Sequence, residues 1–490
     1  METQQGTHVV IFPLPLQGPI NCMLSLADLM LALSEATISV TFITTNAVAT
    51  RLTRHSDIGA RFAKYGPRFS LESVPDGLGP DDNDLPGAHQ VSDLIDSLAT
   101  QAVDAGSRLR EVLTYGCLWG QPDRRPVTCI IADGPFWFMV DVTKELRVPL
   151  VYFETISPSA LWTYLCVPKI VQAGELPFQG DDLDAQITSV PGMEGYLRCR
   201  DLPSFFRAYD PNHQITQRIW RQALCYPRAQ GHILNTFEDL EAPLLSHMRD
   251  LCPNLYTIGP RHSLLRARVE PTASKTASSS LWEEDQNCLA WLDAQPSMSV
   301  LYVSIGSLAV MTRDQLMEFW YGLVNSKTRF LWVRRPGSII ETGHDDEVPI
   351  ELEEGTRERG RLVSWVPQEE VLGHRAVGGF LTHSGWNSTL ESIAAGVPMI
   401  CWPVFVDQQV NSRMVSKVWG VGLDMKDTCD RVIIEKMIRD LMGDQRERFA
   451  AKMDKLSKLA AKAVEEGGTS YCNLNRLIDD IQFNRFPIPS

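Results

Sequence analysis

Short apolar runs alternate with amphipathic segments along nearly the whole chain, and no other feature constrains the fold as strongly. In the first half the runs are HVVIFPLP from His8, SVTFIT from Ser39, CIIAD from Cys129, PLVYFET from Pro149, HILNTF from His232 and LYTIG from Leu255. In the second half they are SVLYVSIGS from Ser299, RFLWVR from Arg329, RLVSW from Arg361, GFLTH from Gly379, PMICWP from Pro398 and GVGLDM from Gly420. Strands that are apolar on both faces belong to parallel sheets covered by helices on both sides. Two such series, in 490 residues that exceed one ordinary core, predict an α/β protein of two doubly wound, Rossmann-like domains. The small, polar stretch PTASKTASSS, Pro271 to Ser280, reads as a surface linker between them. The expected division is residues 1–260, a linker at 261–280, residues 281–470, and a C-terminal helix at 471–490 that pattern alone does not place, with packing back on the first domain one option. Ligands of such sheets bind beyond the carboxyl ends of the strands, so the expected site is the cleft between the domains.

Composition removes several classes of function. A net charge of −14, with no long run of Lys and Arg, excludes a nucleic-acid partner, which needs a clustered basic surface. The eleven cysteines are scattered singly, without C-x-x-C spacing, and their number is odd. This fits a reduced, cytoplasmic compartment and no structural zinc. The N-terminal METQQGTHVVIFPLP lacks a basic region and is interrupted by Pro13 and Pro15, so it reads as neither a signal peptide nor an anchor. No segment reaches the ~20 uninterrupted apolar residues of a membrane span. The acidic cluster Asp81 to Asp84, flanked by Pro and Gly, reads as part of a solvated loop rather than a metal site. G-x-G-x-x-G and G-x-x-x-x-G-K-[ST] are absent after every candidate strand, which removes the main support for dehydrogenase and P-loop readings.

The chemistry concentrates in residues 365–408, WVPQEEVLGHRAVGGFLTHSGWNSTLESIAAGVPMICWPVFVDQ. A strand ending at His383 runs through Ser384-Gly385-Trp386-Asn387-Ser388 into a helix closed by Gly396 and Pro398. The start of that helix offers free N–H groups, hydroxyls and amides at one spot, an anion site able to hold a diphosphate without a metal. Glu391, one turn deeper, suits a ribose diol. Trp365 offers a face on which a base can stack, and Asp407 and Gln408 suit sugar hydroxyls. Singly, Trp365, Trp386, Glu391 and His383 read as well as core or solvated residues; together they describe a nucleotide sugar.

The same 44 residues, opening with WVPQ and closing with DQ, resemble the signature box of plant secondary-product glycosyltransferases that use UDP-sugars. The resemblance continues through HVVIFPLPLQG, VTFITT, VPDGL, IIADG, PGMEGYLRCRDLP, ILNTFEDLE, CLAWLDAQPSMSVLYVSIGS and FLWVRRP. It implies the GT-B architecture, an acceptor-binding first domain, a UDP-sugar-binding second domain, and inversion at the sugar carbon. It further implies that Trp365 stacks on uracil, that Val366 and Gln368 meet base and ribose, and that Glu391 holds the ribose hydroxyls. Ser307, His383, Trp386, Asn387 and Ser388 would hold the diphosphate, while Asp407 and Gln408 would bind the sugar. Thr155 matches a position close to the donor sugar. The final glutamine points to UDP-glucose as donor, with no metal and no further cofactor, and with a small apolar metabolite as acceptor. The wording FPLPLQG-x-I-N-x-M-L-x-L-A resembles the branch acting on iridoids and other terpenoids, with phenolics equally open; a monomer is expected.

One position departs from the family. Where the resemblance calls for Q-G-H, with the histidine as general base, this chain has Gln17-Gly18-Pro19, and proline cannot take a proton. His8 begins the strand, far from the cleft, and is no substitute. Asp133, which matches the carboxylate that orients the missing histidine, is retained as a candidate base. Three readings follow: Asp133 acts alone or through a water; the acceptor is a carboxylate or an acidic hydroxyl that needs no base; or the protein binds ligands without ordinary glucosyl transfer. Pro19 itself suits the first turn of a helix.

Overall fold

The structure, a computed structural model, describes residues 6–78, 85, 87–117, 126–178, 181–207, 210–269, 279–340 and 348–488. The acidic cluster Asp81 to Asp84 and most of the stretch from Pro271 to Ser280 lie outside them.

Seven parallel strands form the first sheet: β1 (Thr7–Phe12), β2 (Ile38–Thr45), β3 (Phe69–Val74), β4 (Cys129–Asp133), β5 (Leu150–Glu154), β6 (Gly231–Leu234) and β7 (Leu255–Thr257). Their order is β3-β2-β1-β4-β5-β6-β7. In the second half lie β8 (Val300–Ser304), β9 (Met311–Thr312), β10 (Arg329–Val333), β11 (Ile339–Ile340), β12 (Gly360–Val363), β13 (Val377–Thr382), β14 (Met399–Cys401) and β15 (Gly422–Asp424). Six of these make a second sheet ordered β12-β10-β8-β13-β14-β15, while β9 and β11 pair with each other.

The continuous apolar runs are explained by packing on both faces. In β1, Val9 and Ile11 enter one core cluster and Val10 and Phe12 another. In β8, Val300 and Tyr302 face one way and Leu301 and Val303 the other. All twelve anticipated runs contain strands, and three strands were not anticipated. β3, FSLESV, is an edge strand that is only partly buried, so it alternates polar and apolar residues instead of running apolar. β9 and β11 have two residues each, too few for any pattern.

Strand order sets the place of the site. The winding reverses between β1 and β4 in the first sheet and between β8 and β13 in the second. The loops after those four strands therefore flank the two crevices where doubly wound sheets bind ligands. The C-terminal helix Thr469–Gln482 lies on the first sheet: Tyr256 donates to Asp480 at 2.7 Å, Asn473 to Thr257 at 2.8 Å, and Leu474, Leu477, Ile478 and Ile481 enter its core. Among the described residues no helix is long and apolar enough to cross a membrane.

Candidate active site

A cavity of about 1150 Å³ opens between the domains, lined by the loops after β1, β5, β8 and β13 and by helices of both domains. Of the sequence-predicted residues, Pro19, Thr155, Ser307, Trp365, Val366, Gln368, His383, Trp386, Asn387, Ser388, Glu391, Asp407 and Gln408 all line it, and Asp133 does not.

On the second-domain side, β13 ends in a sharp turn at Ser384, whose φ of 64° is left-handed, and the helix Trp386–Ala395 begins beyond Gly385. No side chain caps this helix, so its first-turn N–H groups remain for a ligand. The imidazole of His383 is packed against Gly306 and Gly385; a Cβ on either would come within about 2.5 Å of the ring. Burial lowers its pKa to about 4, so at neutral pH it presents a neutral hydrogen-bonding ring to the cavity rather than a cation.

Gln368 fixes the next layer. Its amide donates to Ser388 at 2.9 Å and to Glu391 at 2.8 Å, and its carbonyl accepts from Tyr302 at 3.0 Å. The Glu391 carboxylate is buried, and its pKa rises to about 7, chiefly through desolvation and then through the charge of Glu369. Arg261, which begins a helix (Arg261–Arg268) packed into the first-domain core where a linker is expected, places its guanidinium 3.5 Å away. His262, Glu369 and Glu391 bring potential ligand atoms within 4.8 Å of one another, with the Arg261 guanidinium already there as countercharge.

Two residues expected at the diphosphate spend their side chains elsewhere. Trp386 is buried and donates to the Asn235 carbonyl at 2.8 Å. Asn387 donates to the Gly18 carbonyl at 3.1 Å and accepts from Asn235 at 3.2 Å and from the Cys22 thiol at 2.9 Å. Asn387 thus clasps the second domain to the helix Gln17–Leu33, and Trp386 and Asn387 both tie it to Asn235 after β6. Val406, β-branched yet at φ 57°, bends the loop after β14 so that Asp407 and Gln408 face the cavity. Gln408 accepts from Val404 and Phe405 N–H groups through its carbonyl, so its amide NH2 is what it can offer a sugar. Burial raises the Asp407 pKa to about 6.

On the first-domain side, Pro19 occupies the first turn of the Gln17–Leu33 helix, where a missing N–H costs no hydrogen bond. Gln17 ties that turn to the chain ahead of β8, accepting from Leu281 at 2.7 Å. Asp133 is fully buried behind the cavity wall. One oxygen accepts from the Leu14 N–H at 3.0 Å and the other from the Thr155 hydroxyl at 2.9 Å, and desolvation raises its pKa to about 7. His8 hydrogen-bonds Thr41 at 2.9 Å inside the domain and is absent from the lining.

Sequence reasoning missed several residues that line the same cavity. Arg261, His89 and Arg218 carry no motif, and the helical patterns around them look like ordinary amphipathic surfaces. The signal available for Arg218 was ITQRIWRQ, in which an arginine interrupts the apolar face formed by Ile215 and Ile219.

Residues 220–459 match the family model described as UDP-glucoronosyl and UDP-glucosyl transferase. The chain is 51% identical over 483 residues, 98% of both chains, to a 7-deoxyloganetic acid glucosyltransferase of Catharanthus roseus. It is 41% identical over 489 residues to a myricetin 3-O-rhamnoside 1,2-glucosyltransferase of Crocosmia x crocosmiiflora, covering 99% of this chain and 98% of that one. Its fold matches a UDP-glucose: anthocyanidin 3-O-glucosyltransferase solved with UDP at a TM-score of 0.80 and 25% identity, across 99% of this chain and 100% of the other. The two parallel-sheet domains are thus a GT-B fold, and the chain belongs to the UDP-glucoronosyl and UDP-glucosyl transferase family, among its plant UDP-glucosyltransferases.

Proposed function

We propose that the protein transfers glucose from UDP-glucose, with inversion, to a hydroxyl of a small iridoid-type carboxylic acid, and that Thr155 and Asp133 together replace the missing histidine base. The acceptor class is supported by the 51% identity, over 98% of both chains, to a protein named for 7-deoxyloganetic acid. The base is supported by one contact, the Thr155 hydroxyl donating to Asp133 at 2.9 Å from a position on the cavity wall.

Donor binding follows the layers of the site. Uracil meets Trp365 and Val366, the ribose meets Glu391 as steadied by Gln368, and the diphosphate meets the first turn of the Trp386–Ala395 helix with neutral His383 and Ser307. Asp407 and Gln408 take glucose hydroxyls. As the C1–O bond to UDP breaks, negative charge grows on the diphosphate at the positive end of the helix, and preorganised N–H donors stabilise it.

The acceptor proton leaves by a relay. Thr155 Oγ accepts the acceptor's proton as its own passes to Asp133, the acceptor oxygen attacks C1, and UDP departs. A carboxyl with a pKa near 7 is suited to take a proton at neutrality, since general bases work best near the operating pH.

The test is incubation of the protein with UDP-glucose and 7-deoxyloganetic acid, with phenols and simple alcohols as alternatives. Mass spectrometry should show a monoglucoside of the acid that survives mild alkali, as a hydroxyl-linked glucoside does. An alkali-labile product would mean that the carboxylate itself is the nucleophile and that no base is needed; product only from phenols would remove the iridoid reading.

A further inference from the structure

We propose that Arg218, with Ser92, anchors the carboxylate of the acidic acceptor, so that a hydroxyl elsewhere on the molecule is what reaches Thr155. The inference rests on the acceptor class proposed above and names the residues that would recognise it.

The acceptor end of the cavity is mainly apolar, lined by Val91, Ile95, Phe205, Ile215 and Ile219. A carboxylate entering such a chamber loses its water and is stable there only if a charged partner meets it. Among the described lining residues from the helices Val91–Val103 and Gln214–Cys225, Arg218 is the one cation. The remaining lysine and arginines on the wall face carboxylates outside these two helices. Arg61 and Lys64 face Asp28 at 3.1 and 3.7 Å, and Arg261 and Arg266 act on Glu369 and Glu391.

The geometry of Arg218 suits the task. It lies three residues after Ile215 and one before Ile219, so its side chain leaves the helix on the face that lines the cavity. Its guanidinium donates to Ser92 and to Asp96 on the facing helix. The two ends of that ion pair differ in exposure: the arginine side chain is 14% exposed and the aspartate 48%. The cation is thus drawn inward while its partner stays in water. Ser92 Oγ accepts from Arg218, which leaves the hydroxyl proton free for a ligand. A guanidinium and a hydroxyl side by side form a donor pair for one carboxylate, with the planar fork favouring it over a simple point charge.

The test compares 7-deoxyloganetic acid with its methyl ester, each with UDP-glucose, for the unaltered protein, Arg218→Met and Asp96→Asn. Arg218→Met should raise KM for the acid about 10- to 100-fold, the loss of a hydrogen bond to a charged group, with kcat for the acid and KM for the ester held within about twofold. Asp96→Asn removes the competing carboxylate and should lower KM for the acid, an opposite shift that a misfolded or loosened cavity would not produce. Equal losses on acid and ester, or an unchanged KM for the acid in Arg218→Met, would overturn the proposal. If neither compound is glucosylated, calorimetric titration of the acid into UDP-loaded protein separates the two readings. Binding that requires Arg218 keeps the anchor and removes the transfer reaction, and absence of binding removes both.

Discussion

The hydroxyl of Thr155 stands 2.9 Å from Asp133 and lines the cavity, so the buried carboxylate is connected to the cleft through a single side chain. Thr155→Val preserves the shape and breaks the connection. It should lower kcat on hydroxyl acceptors by about 10²- to 10⁴-fold while leaving UDP affinity intact. Asp133→Asn should match it, and the double variant should be no worse than either, because groups acting in one relay are not additive. In the unaltered protein kcat should fall as pH drops through about 7, where Asp133 becomes protonated. Independent, additive losses in the double variant would exclude a relay.

Glu391, the ribose partner proposed above, opposes stability in the free protein. Burial raises its pKa from 4.5 to about 7, so the folded chain binds this proton more tightly than the unfolded chain. The contribution to stability is therefore full below the unfolded pKa and is lost as pH rises through about 7. Glu391→Gln should melt above the unaltered protein at pH 8 and converge with it near pH 4, while UDP-glucose affinity falls by about tenfold or more through loss of a charged acceptor for the ribose. Thermal melts at the two pH values and calorimetry check both halves.

Asp201 joins the domains on the far side of the cleft. Its fully buried carboxylate accepts from Arg198 at 3.0 Å and from Lys426 of the second domain at 2.6 Å, with Arg413 at 3.4 Å. Lys426→Met removes one of the three cations on that carboxylate and, with Arg198 and Arg413 still present, should cost about 1–3 kcal/mol in denaturant unfolding. Adding Asp201→Asn should recover part of the loss. A double variant less stable than the single one would show that the charge pair is not what holds the interface.

What could be read from the chain followed from how strongly physics ties sequence to place. The twelve strand runs were legible because burial on both faces demands continuous apolar residues, and β3 was hidden because an edge strand does not. That the residues of the proposed donor box share one cavity was legible because they lie within 44 positions of one another on a strand, a turn and a helix. The roles of Trp386 and Asn387 were less so. Their partners, Asn235 and Gly18, lie 151 and 369 residues away, and no local pattern records such a contact. Asp133 was found as a residue, yet its burial behind Leu14 and Thr155 depends on the crossing of β1, β4 and β5. Arg218 and Arg261 belong to helices whose composition is ordinary, and only the closed cleft gives them meaning.

Pro19→His asks whether a general base at this position is all that the site lacks. Position 19 lies on the cavity wall in the first turn of its helix, where histidine is tolerated and the proline contributes little hydrogen bonding. An imidazole there brings an unperturbed pKa of ~6.5 to the cleft and a ring able to share Asp133 with Thr155. On simple alcohols, which do not ionise unaided, kcat should rise, by up to about 10²-fold. Thr155→Val should then be largely rescued in the Pro19→His background, since the proton has a second route, whereas Asp133→Asn should remain impaired because the new histidine loses its orienting carboxylate. Loss of activity on every acceptor, with UDP affinity unchanged, would mean that the space left by proline is filled by the acceptor itself, so that substrate fit rather than the absence of a base is what Pro19 provides.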